Sequence, residues 1–157
     1  MKQDCGSCSA CCFLMSVPDI NKPAAIWCQH AVRPHGGCAV YGTDAKPQAC
    51  SDFACLWLVS QDRAREDRMP LDMRPDRSHV MFHDARDDKN VLYAHVFPTA
   101  PDAWHRPDVK AHIDMVLERG CGVEVIIGRR RIVLAEDRVT SFPEDGSAAR
   151  TALRQLP

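Results

Sequence analysis

Thiols are the residues in this chain whose type and spacing could do chemistry. Eight of its nine cysteines lie between Cys5 and Cys55, and the remaining residues hold only Cys121. The first four form a C-x2-C-x2-C-C run, Cys5-Gly6-Ser7-Cys8-Ser9-Ala10-Cys11-Cys12. Two residues between thiolates allow a tight turn to aim both sulfurs at one centre while backbone N–H groups point at them, which is why this spacing recurs in zinc and iron–sulfur sites. The small residues Gly6, Ser7, Ser9 and Ala10 suit a wrapped loop. Side chains of neighbours tend to diverge, so the pair Cys11-Cys12 suggests either two metal centres close together or a cluster beside a separate ion. A ferredoxin-type run would place three residues before its fourth cysteine and a proline after it, and neither is present.

The other cysteines sit in distinct settings: Trp27-Cys28-Gln29-His30, Gly36-Gly37-Cys38-Ala39-Val40-Tyr41, and Pro47-Gln48-Ala49-Cys50 leading to Phe53-Ala54-Cys55. Taken with the opening run, these elements resemble the YkgJ-like family of small cysteine-cluster proteins, the CxxCxxCC zinc- or iron-chelating domain. That pattern has a Cys two before a His, a Gly-Cys-x-x-Tyr and a Pro-x-x-Cys-x-x-Phe-x-Cys, all matched here between Cys5 and Trp57. Lys46 stands where the family often has Arg. The resemblance implies metal chelation, with Cys5, Cys8, Cys11, Cys12, Cys28, Cys38, Cys50 and Cys55 as ligands and zinc, iron or an iron–sulfur cluster as the bound species. Some larger relatives join such a domain to flagellin lysine methylation; no methyl-donor site is recognisable here, and that activity is not carried over. Eight thiolates divide evenly into two four-thiolate sites, but spacing leaves their pairing open. His30 is expected to pack or hydrogen-bond beside Cys28 rather than ligate, and Cys121 to fill a small apolar space.

The elements that must position these residues differ along the chain. Residues 5–57 form a Cys-rich module within a single domain spanning 1–157. This stretch is rich in Pro and Gly turns and poor in apolar runs, so thiolate–metal bonds are expected to organise it. Ser51 or Asp52 could cap a helix with Phe53, Leu56, Trp57 and Ala64 on its apolar stripe, running through the charged 62–68 segment to an end near Pro70. Residues 70–144 read as the α+β part. Strands are expected at His79–His83 and Val91–Phe97, a helix from Pro107 to a stop at Gly120, and a hairpin of Gly122–Ile127 and Arg131–Leu134 turning at Gly128-Arg129-Arg130. The connections look too short for a parallel βαβ unit, so the fold class is α+β: an irregular metal-organised part packed on a strand-strand-helix-hairpin unit. Residues 145–157 read as a tail.

Composition narrows the function classes. The chain has 157 residues, 45% hydrophobic and 26% charged, within the range of an ordinary globular domain. Its formal net charge of -1 argues against a protein that wraps nucleic acid non-specifically. No stretch has the apolar length of a membrane helix, and no apolar signal segment follows Met1, so a reducing, cytoplasmic location is expected. Clustered cysteines in that setting point to metal binding rather than disulfides. The protein partner, if there is one, is not legible, and neither nucleic acid nor membrane is expected. A second reading is a small redox or metal-dependent enzyme using the cluster with His79, His83 or His95 nearby. No phosphate-binding Gly-rich loop and no G-x-S-x-G is present. Arg129, Arg130 and Arg131 read as a solvated turn.

Overall fold

The computed structural model describes residues 5–33, 36–84, 90–135 and 138–142. The chain divides into two compact units, Met1–Met81 and Phe82–Pro157, with the boundary inside the first strand.

The first unit is built from short pieces. Helices α1 (Ala10–Leu14), α2 (Gln48–Ser51), α3 (Leu56–Ser60) and α4 (Pro75–Ser78) are joined by 3₁₀ turns at Pro18–Ile20, between α1 and α2, and at Arg65–Asp67 and Leu71–Met73, between α3 and α4. None of these helices is long enough to be stable alone, so tertiary contacts must hold each one. The single long helix expected from Ser51 to Pro70 is replaced by α2, an extended break and α3. Cys55 leaves the helical region (φ -75, ψ 158) to become the residue before α3. The charged stretch that would have continued the helix forms only the 3₁₀ turn at Arg65–Asp67. Its residues carry no apolar face to bury, which is the physical reason the helix stops.

The second unit carries most of a five-stranded sheet in the order β1 (Val80–Asp84), β2 (Val91–Val96), β3 (Gly122–Ile127), β4 (Arg130–Ala135), β5 (Arg138–Phe142). The mixed α and β composition is therefore as expected, and four of the strands lie within a residue or two of their expected bounds. The direction of one pairing is not. β2 and β3 are parallel, with Val91 opposite Gly122 and Val96 opposite Ile127, and α5 (Pro107–Glu118) lies in the connection between them. A crossover needs a dozen or more residues, and the span from Phe97 to Cys121 supplies them. β5, not expected from the sequence, extends the β3–β4 hairpin antiparallel, pairing Arg138 with Ala135 and Phe142 with Arg131. The 145–157 tail lies outside the described residues.

Pairing register sets the two faces of the sheet. Ala94, Val125 and Ile132 stand in one row, Leu92, Val123 and Leu134 in the next, and all six are buried. Helix α5, whose Val109 and Ile113 are also buried, packs against β3. Its N-terminus is fixed by Pro107 at the first turn and its end by Gly120 (φ 76), both as the sequence signals predict. The opposite face carries Tyr93, His95, Glu124, Ile126, Arg131 and Val133.

Candidate metal centre

The opening run folds as a turn followed by α1. Cys8 N–H donates to the Cys5 carbonyl at 3.0 Å, and Met15 N–H closes the helix on the Cys11 carbonyl at 3.1 Å. Gly37 is required here for a reason of space and conformation. Its φ is +76, and a Cβ at that position would stand 3.1 Å from the Gly6 carbonyl oxygen.

Backbone bonds set several of the cysteine-bearing segments beside one another. Cys28 N–H donates to the Cys12 carbonyl at 2.9 Å, which brings the Trp27-Cys28 segment alongside α1 and sets the Trp27 ring 5.1 Å from that of Phe13. Ala31 and Cys38 form an isolated antiparallel bridge, and Ala39 N–H donates to the His30 carbonyl at 2.8 Å. Cys38 is thereby carried beside the turn that follows Cys28. Helix α2, with Cys50, is held by Ala49 N–H donating to Asp19 Oδ2 at 3.1 Å. Cys50 senses the charges of Cys12, Cys28 and Cys38. Arg74 reaches both the opening run and α3. Its guanidinium donates to Ser7 Oγ at 3.1 Å, forks onto both oxygens of Asp76 at 2.6 and 2.7 Å, and lies 5.8 Å from the centre of the Trp57 ring. Ser7 sits between Cys5 and Cys8, and Trp57 is two residues beyond Cys55. Cys55 and Cys8 are electrostatic neighbours, as are Cys11, Cys5 and Cys8.

A recurring local pattern surrounds the sulfurs. His30 N–H donates to Cys28 Sγ at 3.4 Å. The N–H groups of Ala10 and Val40 are likewise turned toward the sulfurs of Cys8 and Cys38, and that of Leu58, with Trp57 adding less, toward Cys55. The donor is two residues after Cys8, Cys28 and Cys38 and three after Cys55, and a donor so placed favours a thiolate. Burial opposes this and wins: it pushes the Cys8 thiol up to about 11 and raises those of Cys38, Cys50 and Cys55. Cys11 and Cys12 share a hydrogen bond between their side chains. Cys11 keeps its proton as donor, with burial adding to that effect, and Cys12, stabilised as acceptor and by Lys22, falls to about 7 against burial. The two neighbouring sulfurs thus meet rather than diverge.

Lys22 is the residue that sequence reasoning missed. It is 7% exposed. Its ammonium donates to the carbonyls of Phe13 (3.2 Å), Pro23 (3.0 Å) and Met15. Burial lowers its pKa, and the sulfurs of Cys28, Cys12, Cys11 and Cys50 oppose that shift. Lys46, the position where the resemblance expects Arg, stands over the Tyr41 ring at 4.6 Å and offsets the charge of Cys38 and Cys50. No motif marks Lys22 or Arg74, because each acts through contacts that only folding creates.

All nine cysteines are free thiols. Among the described residues no three His, Cys, Asp or Glu side chains stand as a group that could hold a metal ion. The chemistry of the donor set, soft thiols with backbone N–H groups turned toward some of them, suits zinc, iron or an iron–sulfur cluster. His30 contributes its main chain to Cys28 while its ring contacts Gln29 Nε2 at 3.3 Å. Cys121 is half-buried between α5 and β3.

The histidines of the strands separate. His79 stands before β1 in a left-handed turn (φ 59) that ends α4, so it does not share a strand face with His83. His83 and His95 do meet, Nε2 to Nε2 at 3.1 Å with rings stacked. His83 Nδ1 lies 3.0 Å from the Asp84 carbonyl and must donate to it, so His83 Nε2 accepts and His95 Nε2–H donates. Burial, then the charges of His83 and Arg131, push His95 down to about 3. Arg131 is no solvated turn residue: its Nη1 lies 3.6 Å from Oε1 of Glu124, which is 2% exposed.

No family model, curated protein or solved structure matches the chain. Among the described residues no helix is long and apolar enough to cross a membrane.

Proposed function

We propose that this chain is a metal-chelating protein that binds zinc or iron, the latter alone or as an iron–sulfur cluster, through Cys5, Cys8, Cys11, Cys12, Cys28, Cys38, Cys50 and Cys55. The observation that carries the reading is a backbone N–H two residues beyond Cys8, Cys28 and Cys38, and three beyond Cys55, each turned toward a sulfur. Such donors lower the cost of a thiolate, the form that binds metal. The YkgJ-like resemblance points the same way. Bound metal would supply cross-links that the first unit's short helices lack, and its uptake would displace thiol protons held by burial. Nine free thiols suit a reducing compartment such as the cytoplasm.

The test is metal and acid-labile sulfide analysis of protein purified without oxygen, beside its absorption spectrum and a thiol titration. Iron with matching sulfide and a broad band near roughly 400 nm supports a cluster, and zinc without sulfide supports a zinc site. Metal-free protein that also fails to take up either metal, or protein whose eight thiols are paired as disulfides, overturns the reading.

A further inference from the structure

We infer that the His83–His95 pair is an acid-released latch on the end of β1: with both imidazoles neutral it ties that strand to β2, and an added proton opens it. The backbone sets the placement. His83 lies one residue before the end of β1, the strand in which the chain passes out of the first unit, and β1 neighbours β2 in the sheet. The two rings stack, Nε2 to Nε2 at 3.1 Å, and the Tyr93 ring lies 5.2 Å from that of His83. The protons run one way: His95 Nε2–H donates to His83 Nε2, and His83 Nδ1–H donates to the Asp84 carbonyl at 3.0 Å. His83 is thereby held in its Nδ1–H tautomer.

An added proton has two places to go, and the closed form resists both. At His83 Nε2 it removes the acceptor of the link and sets two N–H groups face to face. At His95 Nδ1 it puts a second cation on the face that carries Arg131, which stands in register with His95 across Ile126. Glu124, the carboxylate of that face, is engaged by Arg131 at 3.6 Å. Asp84 and His105, the latter from the 3₁₀ turn Ala103–His105 packed against β2, are exposed, and water screens them. Burial first, then the charges of His83 and Arg131, keep the closed His95 neutral down to about 3 against an ordinary 6.5. Once the link opens, water replaces it and the ring accepts its proton at the ordinary value. The latch is therefore complete above about pH 6.5, and below it weakens by up to about tenfold per pH unit.

The experiment is hydrogen exchange on the full chain from about pH 7.5 to about pH 5, corrected for intrinsic rate, beside long-range ¹H–¹⁵N spectra of the imidazoles. Peptides covering Val80–Asp84 are expected to open at lower protection than Arg130–Ala135 in β4. They are also expected to lose up to about tenfold of protection per pH unit below about 6.5. His95→Gln keeps a donor for His83 but takes no proton, and is expected to flatten that loss. A β1 protection independent of pH, or a loss that His95→Gln leaves unflattened, overturns the latch. So does a single protection shared by β1 and β4 at every pH, which would make the opening global. Should the variant fail to fold, the wild-type spectra decide. An Nδ1–H His83 beside a His95 that is still neutral at about pH 5 supports the latch, and an Nε2–H His83 or a His95 titrating near its ordinary value refutes it.

Discussion

Replacing Lys22 by Met should loosen the first unit without touching the second. The ammonium is nearly sealed from solvent and donates to three main-chain carbonyls, on Phe13, Met15 and Pro23. A hydrogen bond to a charged group is worth about 1.5 kcal/mol or more net, so three amount to roughly 4–5 kcal/mol. Burial of the ammonium, visible in its lowered pKa, takes part of that back. A Met of similar length keeps the packing, so the net loss should be about 3 kcal/mol, on the order of a hundredfold in the opening equilibrium. Hydrogen exchange read peptide by peptide is the suitable assay. Amides whose bonds depend on that loop, those of Val17 (to the Lys22 carbonyl, 2.9 Å) and Cys28, should lose about a hundredfold of protection, while Gly122–Ile127 in β3 should be unchanged. Equal protection in the variant and the wild type would show that Lys22 holds nothing. Equal loss in β3 would show that the two units do not open independently.

Lowering the pH should weaken the fold through His95. Its folded value is about 3 against an ordinary 6.5, so between those values the unfolded chain binds a proton that the native chain refuses. Stability conferred by neutral His95 is complete above about pH 6.5 and falls with pH by at most about 1.4 kcal/mol per unit; urea unfolding of the wild type and His95→Gln across that range should show a shallower slope in the variant, and identical slopes would refute this. Arg131→Met should cost about 3 kcal/mol by leaving the Glu124 carboxylate buried without its cation, and adding Glu124→Gln should recover most of the loss in a double-mutant cycle of unfolding free energies. A cycle with no coupling would separate the pair. Cys8→Ser or Cys11→Ser should remove order from the first unit at a lower temperature than from α5 and β3–β4, followed by exchange during a thermal ramp; simultaneous loss would contradict a two-part molecule.

Where a segment's structure depends on its own residues, the sequence is readable. α5 carries its apolar positions at helical spacing between Pro107 and Gly120, and β3 and β4 flank a Gly128 turn with φ +60, so their bounds emerge within a residue or so. Segments governed by distant partners are not readable in this way. The stripe Phe53, Leu56 and Trp57 has helical period, yet Cys55 breaks it, its extended conformation interrupting what period alone would join. The parallel pairing of β2 and β3 depends on where α5 lies, which no local pattern states. Arg131 sits in a run of three arginines, and only strand register reveals that it faces Glu124. Cysteine positions were legible as a motif because ligand spacing is local. Lys22 and Arg74 were not, since Arg74 meets Ser7 across 67 residues of chain.

The contrast between the units bears on why a chelating role and a folding role would coincide in this protein. In the second unit, buried aliphatic residues from β2, β3, β4 and α5 form continuous rows, the ordinary hydrophobic source of stability. In the first, buried apolar residues before the strand are few and scattered: Ala10, Leu14, Val17, Leu58 and Met73. Helices of four or five residues cannot make up the difference by themselves. Instead this unit spends part of its interior on a buried ammonium, which costs free energy unless its hydrogen bonds are met, and on thiols that burial keeps protonated. On the chelating reading, a bound ion would turn protonated buried thiols into thiolates and so place negative charge near Lys22. Structural thiolate–zinc sites return about 10 kcal/mol or more. On the chelating reading, ion uptake and ordering of the first unit are therefore one equilibrium, and a change that weakens either must weaken the other by the same free energy.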